Sequence, residues 1–106
     1  MFAEFIETLV EHGKGIHAFR KCAAQARSMA GTTDNAAACF LLATVAEEFV
    51  ENNERQPTTT REATAAFERF TRYVSMLENA SQNGPEAFLS ALNTIAKDQA
   101  KQAETA

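Results

Sequence analysis

The sequence predicts an all-α fold, an antiparallel four-helix bundle, on three observations. Apolar residues recur every three to four positions, and no stretch alternates apolar and polar residues as a half-buried strand would. Four glycines and two prolines are too few for a disordered or collagen-like chain. The polar connections between the periodic stretches are short, as they are where consecutive helices lie side by side. At 106 residues the chain suits a single domain.

The first element carries Phe2, Phe5, Ile6, Leu9 and Ile16 on one face, with Glu4, Glu7 and Glu11 opposite. Farther on, the stripe is Phe19, Cys22, Ala23, Ala26 and Met29, rotated by roughly 100° from the first. The phase changes at Gly13-Lys14-Gly15, where each interior glycine costs a helix about 1 kcal/mol relative to alanine. Two helical pieces, about 2–12 and 15–30, are expected, kinked or broken at this glycine pair; one bent helix is the alternative. Gly31 suits a left-handed C-cap, and Thr32, Thr33 and Asp34 are candidate N-caps for the next helix.

That helix, 34–53, turns Ala38, Leu41, Leu42, Val45, Ala46 and Phe49 to one side and Glu47, Glu51 and Glu54 to the other, with Phe40 on the acidic side. Asn52 to Pro57 reads as a linker, and Thr59-x-x-Glu62 as a capping box opening a helix of about 60–79. Ala63, Ala66, Phe67, Phe70, Val74 and Leu77 form its apolar face, opposite Arg61, Glu68, Arg69 and Arg72. After the turn at Ser81–Gly84, Pro85 opens a last helix of about 85–99 that faces inward with Phe88, Leu92, Ile95 and Ala96. Residues 100–106 are expected to fray.

Several functions lack their parts. Ten Lys and Arg against fourteen Asp and Glu give a net charge of −4, which opposes general nucleic-acid binding. No apolar run reaches the roughly 18 residues of a membrane span. Glu4 and Glu7 interrupt any signal-peptide core, so a cytoplasmic chain is expected. Cys22 and Cys39 match neither a disulfide framework nor a metal-binding spacing, and are expected as buried free thiols, with a regulatory disulfide as the alternative. Neither histidine belongs to an E-x-x-H pair, and the glutamates at helical spacing point away from their apolar stripes, so no metal centre is expected. Phosphate loops, nucleophile elbows and dinucleotide fingerprints are missing, so neither an enzyme nor a cofactor is expected.

What remains is surface. Lys14, His17, Arg20, Lys21 and Arg27 lie opposite the Phe19 stripe as a basic face, which either pairs with the acidic helix that follows or docks an acidic partner or phosphate group. Phe2, Phe5, Ile6, Leu9 and Val10 make a wide apolar segment, and Phe40 and Met76 sit on otherwise polar faces. They either complete the core or mark an interface. The leading expectation is a non-enzymatic interaction module that binds a protein partner or itself. Phe2, Phe5, Ile6 and Leu9 would supply its apolar contacts, and Lys14, Arg20 and Lys21 its charged orientation contacts.

His12-Gly13-Lys14-Gly15 resembles the H-x-x-K-G motif of histidine phosphotransfer domains, which are also small helical bundles. Here the motif is one residue short, so His12 and Lys14 do not share a helical face. The resemblance implies a phosphate-responsive signalling domain using His12 or His17. In size, helix pattern and alanine-rich style the whole chain resembles small helical proteins of proteobacteria, which implies no particular activity.

Overall fold

The apolar stripes have to bury one another, and the computed structural model shows how they do so. It describes residues 2–55 and 57–105, with side chains through Gln102. The described residues form five helices: α1 Ala3–Glu11, α2 Ile16–Ala30, α3 Ala36–Asn53, α4 Thr60–Ser81 and α5 Pro85–Thr105.

The expected count of four is corrected at Gly13–Gly15. The chain neither bends within one helix nor continues along the same axis; α1 ends, and α2 folds back against it. Two hydrogen bonds close α1, Gly13 N–H to Val10 O at 3.3 Å and Lys14 N–H to Leu9 O at 2.8 Å. This is the Schellman arrangement, and it requires a left-handed residue after the cap. Gly13 takes that role with φ +89°, and Lys14 follows at φ +62°. The shift in apolar phase between the two segments therefore follows from two separate helices, each facing the core in its own register.

Gly31, expected as the left-handed cap, has φ −81° and needs no glycine on conformational grounds. The N-caps expected at Thr32–Asp34 shift to Asn35, whose N–H donates to Thr33 Oγ1 at 3.2 Å. Thr59 caps α4 as expected, its hydroxyl accepting from Glu62 N–H at 3.0 Å. Gly84, at φ +97°, turns the chain into α5, and its carbonyl accepts from Phe88 N–H at 3.1 Å.

The helix expected to stop near 99 runs to Thr105. Alanine, lysine and glutamine are strong helix formers, and Asp98 and Gln99 anchor that stretch to α4. Ala106 lies outside the described residues, as do Met1 and Gln56.

α2 and α3 form the most extensive pair. Arg20 meets Glu54 and Arg27 meets Glu47, an order that sets these two helices antiparallel. Ala18, Cys22, Ala23 and Ala26 on α2 and Ala38, Cys39, Ala43 and Ala46 on α3 are all buried, and such small side chains let two helices approach closely. α1 packs on α2 and α4, while α5 packs on α4 and α3.

One core cluster draws on every helix, from Phe2, Phe5 and Leu9 through Phe19, Leu42, Phe70 and Leu77 to Ile95. No charged side chain is buried among the described residues. Ala96, expected inside, is exposed, and Ala91 takes its place. Tyr73, outside the expected face of α4, is buried.

The backbone geometry separates two glycines. Gly13→Ala should destabilise the fold by about 1 kcal/mol, because an alanine is strained in the left-handed region. Gly31→Ala should be neutral or stabilise by up to about 1 kcal/mol, since its Cβ would meet only Ser28 O at an ordinary 3.6 Å. Urea denaturation of both variants checks this, and equal effects would refute it.

Candidate functional site

Three surface regions collect the chain's chemistry: the seam between α2 and α3, a polar cleft among α2–α5, and a groove between α1 and α4.

Along the seam, the basic face is exposed as expected, but most of it is engaged. Arg27 pairs with Glu47 and lays its guanidinium 5.0 Å from the Phe40 ring centroid. Arg20 lies 3.7 Å from Glu54. Lys14 holds its ammonium 4.5 Å from the Phe67 ring centroid. Lys21 makes no hydrogen bond or ion pair with a described residue. Phe40 does not tuck beneath a neighbouring helix; it stays 52% exposed, roofed by Arg27. Exposed ion pairs of this kind contribute only about 0–1 kcal/mol each, so they orient the surface more than they hold the fold.

His12 and His17 are both exposed on either side of the Gly13–Gly15 reversal, ring centroids 5.6 Å apart and nearly perpendicular. No group of three or more potential metal-ligating side chains occurs among the described residues.

The polar cleft has a volume of about 590 Å³, with Phe19, Phe49 and Ala66 as apolar lining and Glu48, Arg69 and Gln99 among its polar groups. Beside it runs a hydrogen-bonded chain. The Tyr73 hydroxyl donates to Asp98 and lies 3.1 Å from Gln99 Oε1, while Gln99 Nε2 donates to Glu48 Oε2 at 2.5 Å. Arg72 reaches Asp98 at 3.5 Å. Burial, the bond to Asp98 and the Asp98 charge push the Tyr73 phenol well above its ordinary value, against the opposing charges of Arg69 and Arg72. These groups satisfy one another and tie α3, α4 and α5 together. The sequence held one signal for this site, since Phe70, Tyr73 and Leu77 recur at helical spacing.

The two thiols lie in the core. Burial pushes Cys22 up to about 12. Burial also raises Cys39, opposed by a hydrogen bond with Thr33 and reinforced by the charge of Glu4. A thiol so raised is neither a ready nucleophile nor a ready metal ligand.

The groove between α1 and α4 corrects the expected apolar contacts. Phe2, Phe5 and Leu9 are 1%, 0% and 0% exposed and belong to the core; Phe2 stacks on Phe88 with ring centroids 6.2 Å apart. Ile6 is half-buried and lines the groove with Val74 and with Val10, which is 53% exposed. The space is about 790 Å³. At one end Glu78 accepts from Phe2 N–H at 2.6 Å and Ala3 N–H at 3.2 Å, pinning the start of α1 to α4. Burial opposes ionisation of Glu78, but the hydrogen bonds and positive charge of the amino end outweigh it and hold the carboxyl below its ordinary value.

No family model, curated protein or solved structure matches this chain. No described helix is long and apolar enough to cross a membrane.

Tyr73 is the chain's single tyrosine, so alkaline absorbance reports on it alone. The folded state holds the phenolic proton more tightly than the unfolded chain does. The resulting stability is complete below about pH 10 and is lost as pH rises through the folded value. Native protein should form no phenolate at about pH 10, with phenolate appearing on unfolding; an ordinary titration would contradict the buried bond. A thiol reagent at about pH 8 should leave Cys22 and Cys39 unmodified until denaturant is added, and native stoichiometric labelling would refute their burial.

Proposed function

We propose that this chain is a non-enzymatic interaction module, binding a protein partner or a second copy of itself. The observation that carries the reading is Val10, exposed above the half-buried Ile6 on a helix whose opposite face is wholly buried. With its inner side sunk in the core, α1 leaves Val10 and part of Ile6 as an apolar strip that its own fold does not cover.

Support also comes from the polar cleft. Tyr73, Asp98, Gln99 and Glu48 are turned to one another, an arrangement that stabilises rather than awaits a substrate. Nucleic acid is a poor partner for a chain of net charge −4 whose Arg20 and Arg27 are shared with glutamates. A reducing compartment such as the cytoplasm suits two cysteines kept as thiols.

Exposed His12 and His17 favour a second reading, a phosphate-responsive domain resembling histidine phosphotransfer bundles. Incubation with acetyl phosphate followed by mass spectrometry tests it, and a histidine-linked adduct lost in His12→Gln or His17→Gln would establish it.

Val10→Asp tests the leading reading, because Val10 is exposed and its replacement should leave the helical content unchanged. Light scattering and affinity capture from native lysate should show a second copy or a partner retained by the unaltered chain and lost by the variant. A monomer that retains nothing, or a variant that behaves identically, would overturn it.

A further inference from the structure

We infer that the α1/α4 groove receives an amphipathic helix from a different protein, carrying lysine or arginine along its flanks. This rests on the interaction reading above and names the occupant.

The charge around the groove selects the partner's sign. α1 contributes Glu7 and Glu11 to its lining and α4 contributes Glu78, while no lysine, arginine or histidine lines it. Glu78 is taken up by the N–H groups of Phe2 and Ala3, so Glu7 and Glu11, both exposed, set the outward field. The other α4 positions, among them Thr71, Ser75 and Asn79, are neutral. The floor of Ile6, Val10 and Val74 asks for aliphatic side chains at helical spacing, and the rim asks for cations beside them.

The same geometry disfavours a second copy. A two-fold dimer that set α1 against α1 through this face would bring Glu7 and Glu11 of both copies to one seam. A head-to-tail contact through the chain's own basic face on α2 is poorly matched. That face presents Lys21, Ala24, Arg27 and Ser28 and no large aliphatic side chain to fill the groove. The other large exposed apolar residues lie elsewhere, Phe40 under Arg27 and Leu89 on α5 with both Glu86 and Lys97 beside it. Length matches a short segment: the groove follows nine residues of α1, about 13 Å at 1.5 Å per residue, so about two and a half turns of a partner helix fill it.

The probe is a labelled helical peptide of about 14 residues, with leucines at the i, i+3, i+4 and i+7 positions and lysines flanking them. A matched peptide carries glutamates in place of the lysines. By fluorescence anisotropy, the lysine peptide should bind one-to-one and at least about tenfold more tightly than the glutamate peptide. That preference should shrink between about 50 mM and about 500 mM salt, as screening shortens the reach of exposed charges. Val10→Asp should weaken binding about tenfold, and the double variant Glu7→Lys, Glu11→Lys should reverse the preference between the two peptides. Equal binding of both peptides, binding indifferent to Val10→Asp, or no binding would overturn the inference.

The two proposals fail in different ways. If the peptides do not bind but Val10→Asp dissolves a dimer in light scattering, the groove belongs to a second copy and the interaction reading stands. If neither measurement responds to Val10→Asp, both readings fall.

Discussion

The fold depends on Phe19 of α2, held 4.5 Å from Phe49 on α3 and 6.1 Å from Phe70 on α4, the latter edge-to-face. Three helices meet at these rings, and aromatic pairs in tilted and edge geometries add about 0.5–1.5 kcal/mol beyond the area they bury. Around this centre, alanines and cysteines draw α2 and α3 close. α3 is buried over a broad part of its circumference because α2, α4 and α5 all lean on it. None of the helices hides its stripe alone, so each is stable because the others cover it.

With no charged side chain buried among the described residues, their charges lie at or near the surface, and the uneven distribution of charge along the chain becomes geography. The basic residues of α2 face the acidic residues of α3 and are partly spent on them. α1 carries glutamates and no base, and those on its outward side border the open groove against α4. Glu78 closes one end of that groove by holding the first N–H groups of α1. The same carboxylate thus fixes where α1 sits and shapes the surface beside it. The polar cleft has a different character, because its tyrosine, carboxylates and amide are paired across three helices and serve as a clasp.

Much of the fold was legible residue by residue. The Thr59 cap, the opening of α5 at Pro85, and the core roles of Phe70, Val74, Leu77 and Ile95 follow from spacing and local chemistry, which act within a few residues. Gly13 and Gly31 show the limit. Both lie at a helix end where the chain reverses, yet only Gly13 is left-handed, because α1 closes there in a Schellman turn while the return from α2 to α3 is spread over residues 31–35. Apolar periodicity likewise marked α1 as greasy, but it could not separate Phe2, Phe5 and Leu9 from Ile6 and Val10. That division depends on which arc of α1 is covered by α2 and α4.

Sequence by itself determined the helical class, most helix boundaries to within a residue or two, and a surface divided into acidic and basic stretches, since these depend on neighbours three or four positions apart. Tertiary structure alone decided that α2 folds back on α1, that Tyr73 joins Asp98 and Gln99, and that Val10 rather than Phe5 is left in the open. Such outcomes turn on which surfaces meet, and residues as distant as Phe2 and Glu78 become partners only after the core has closed.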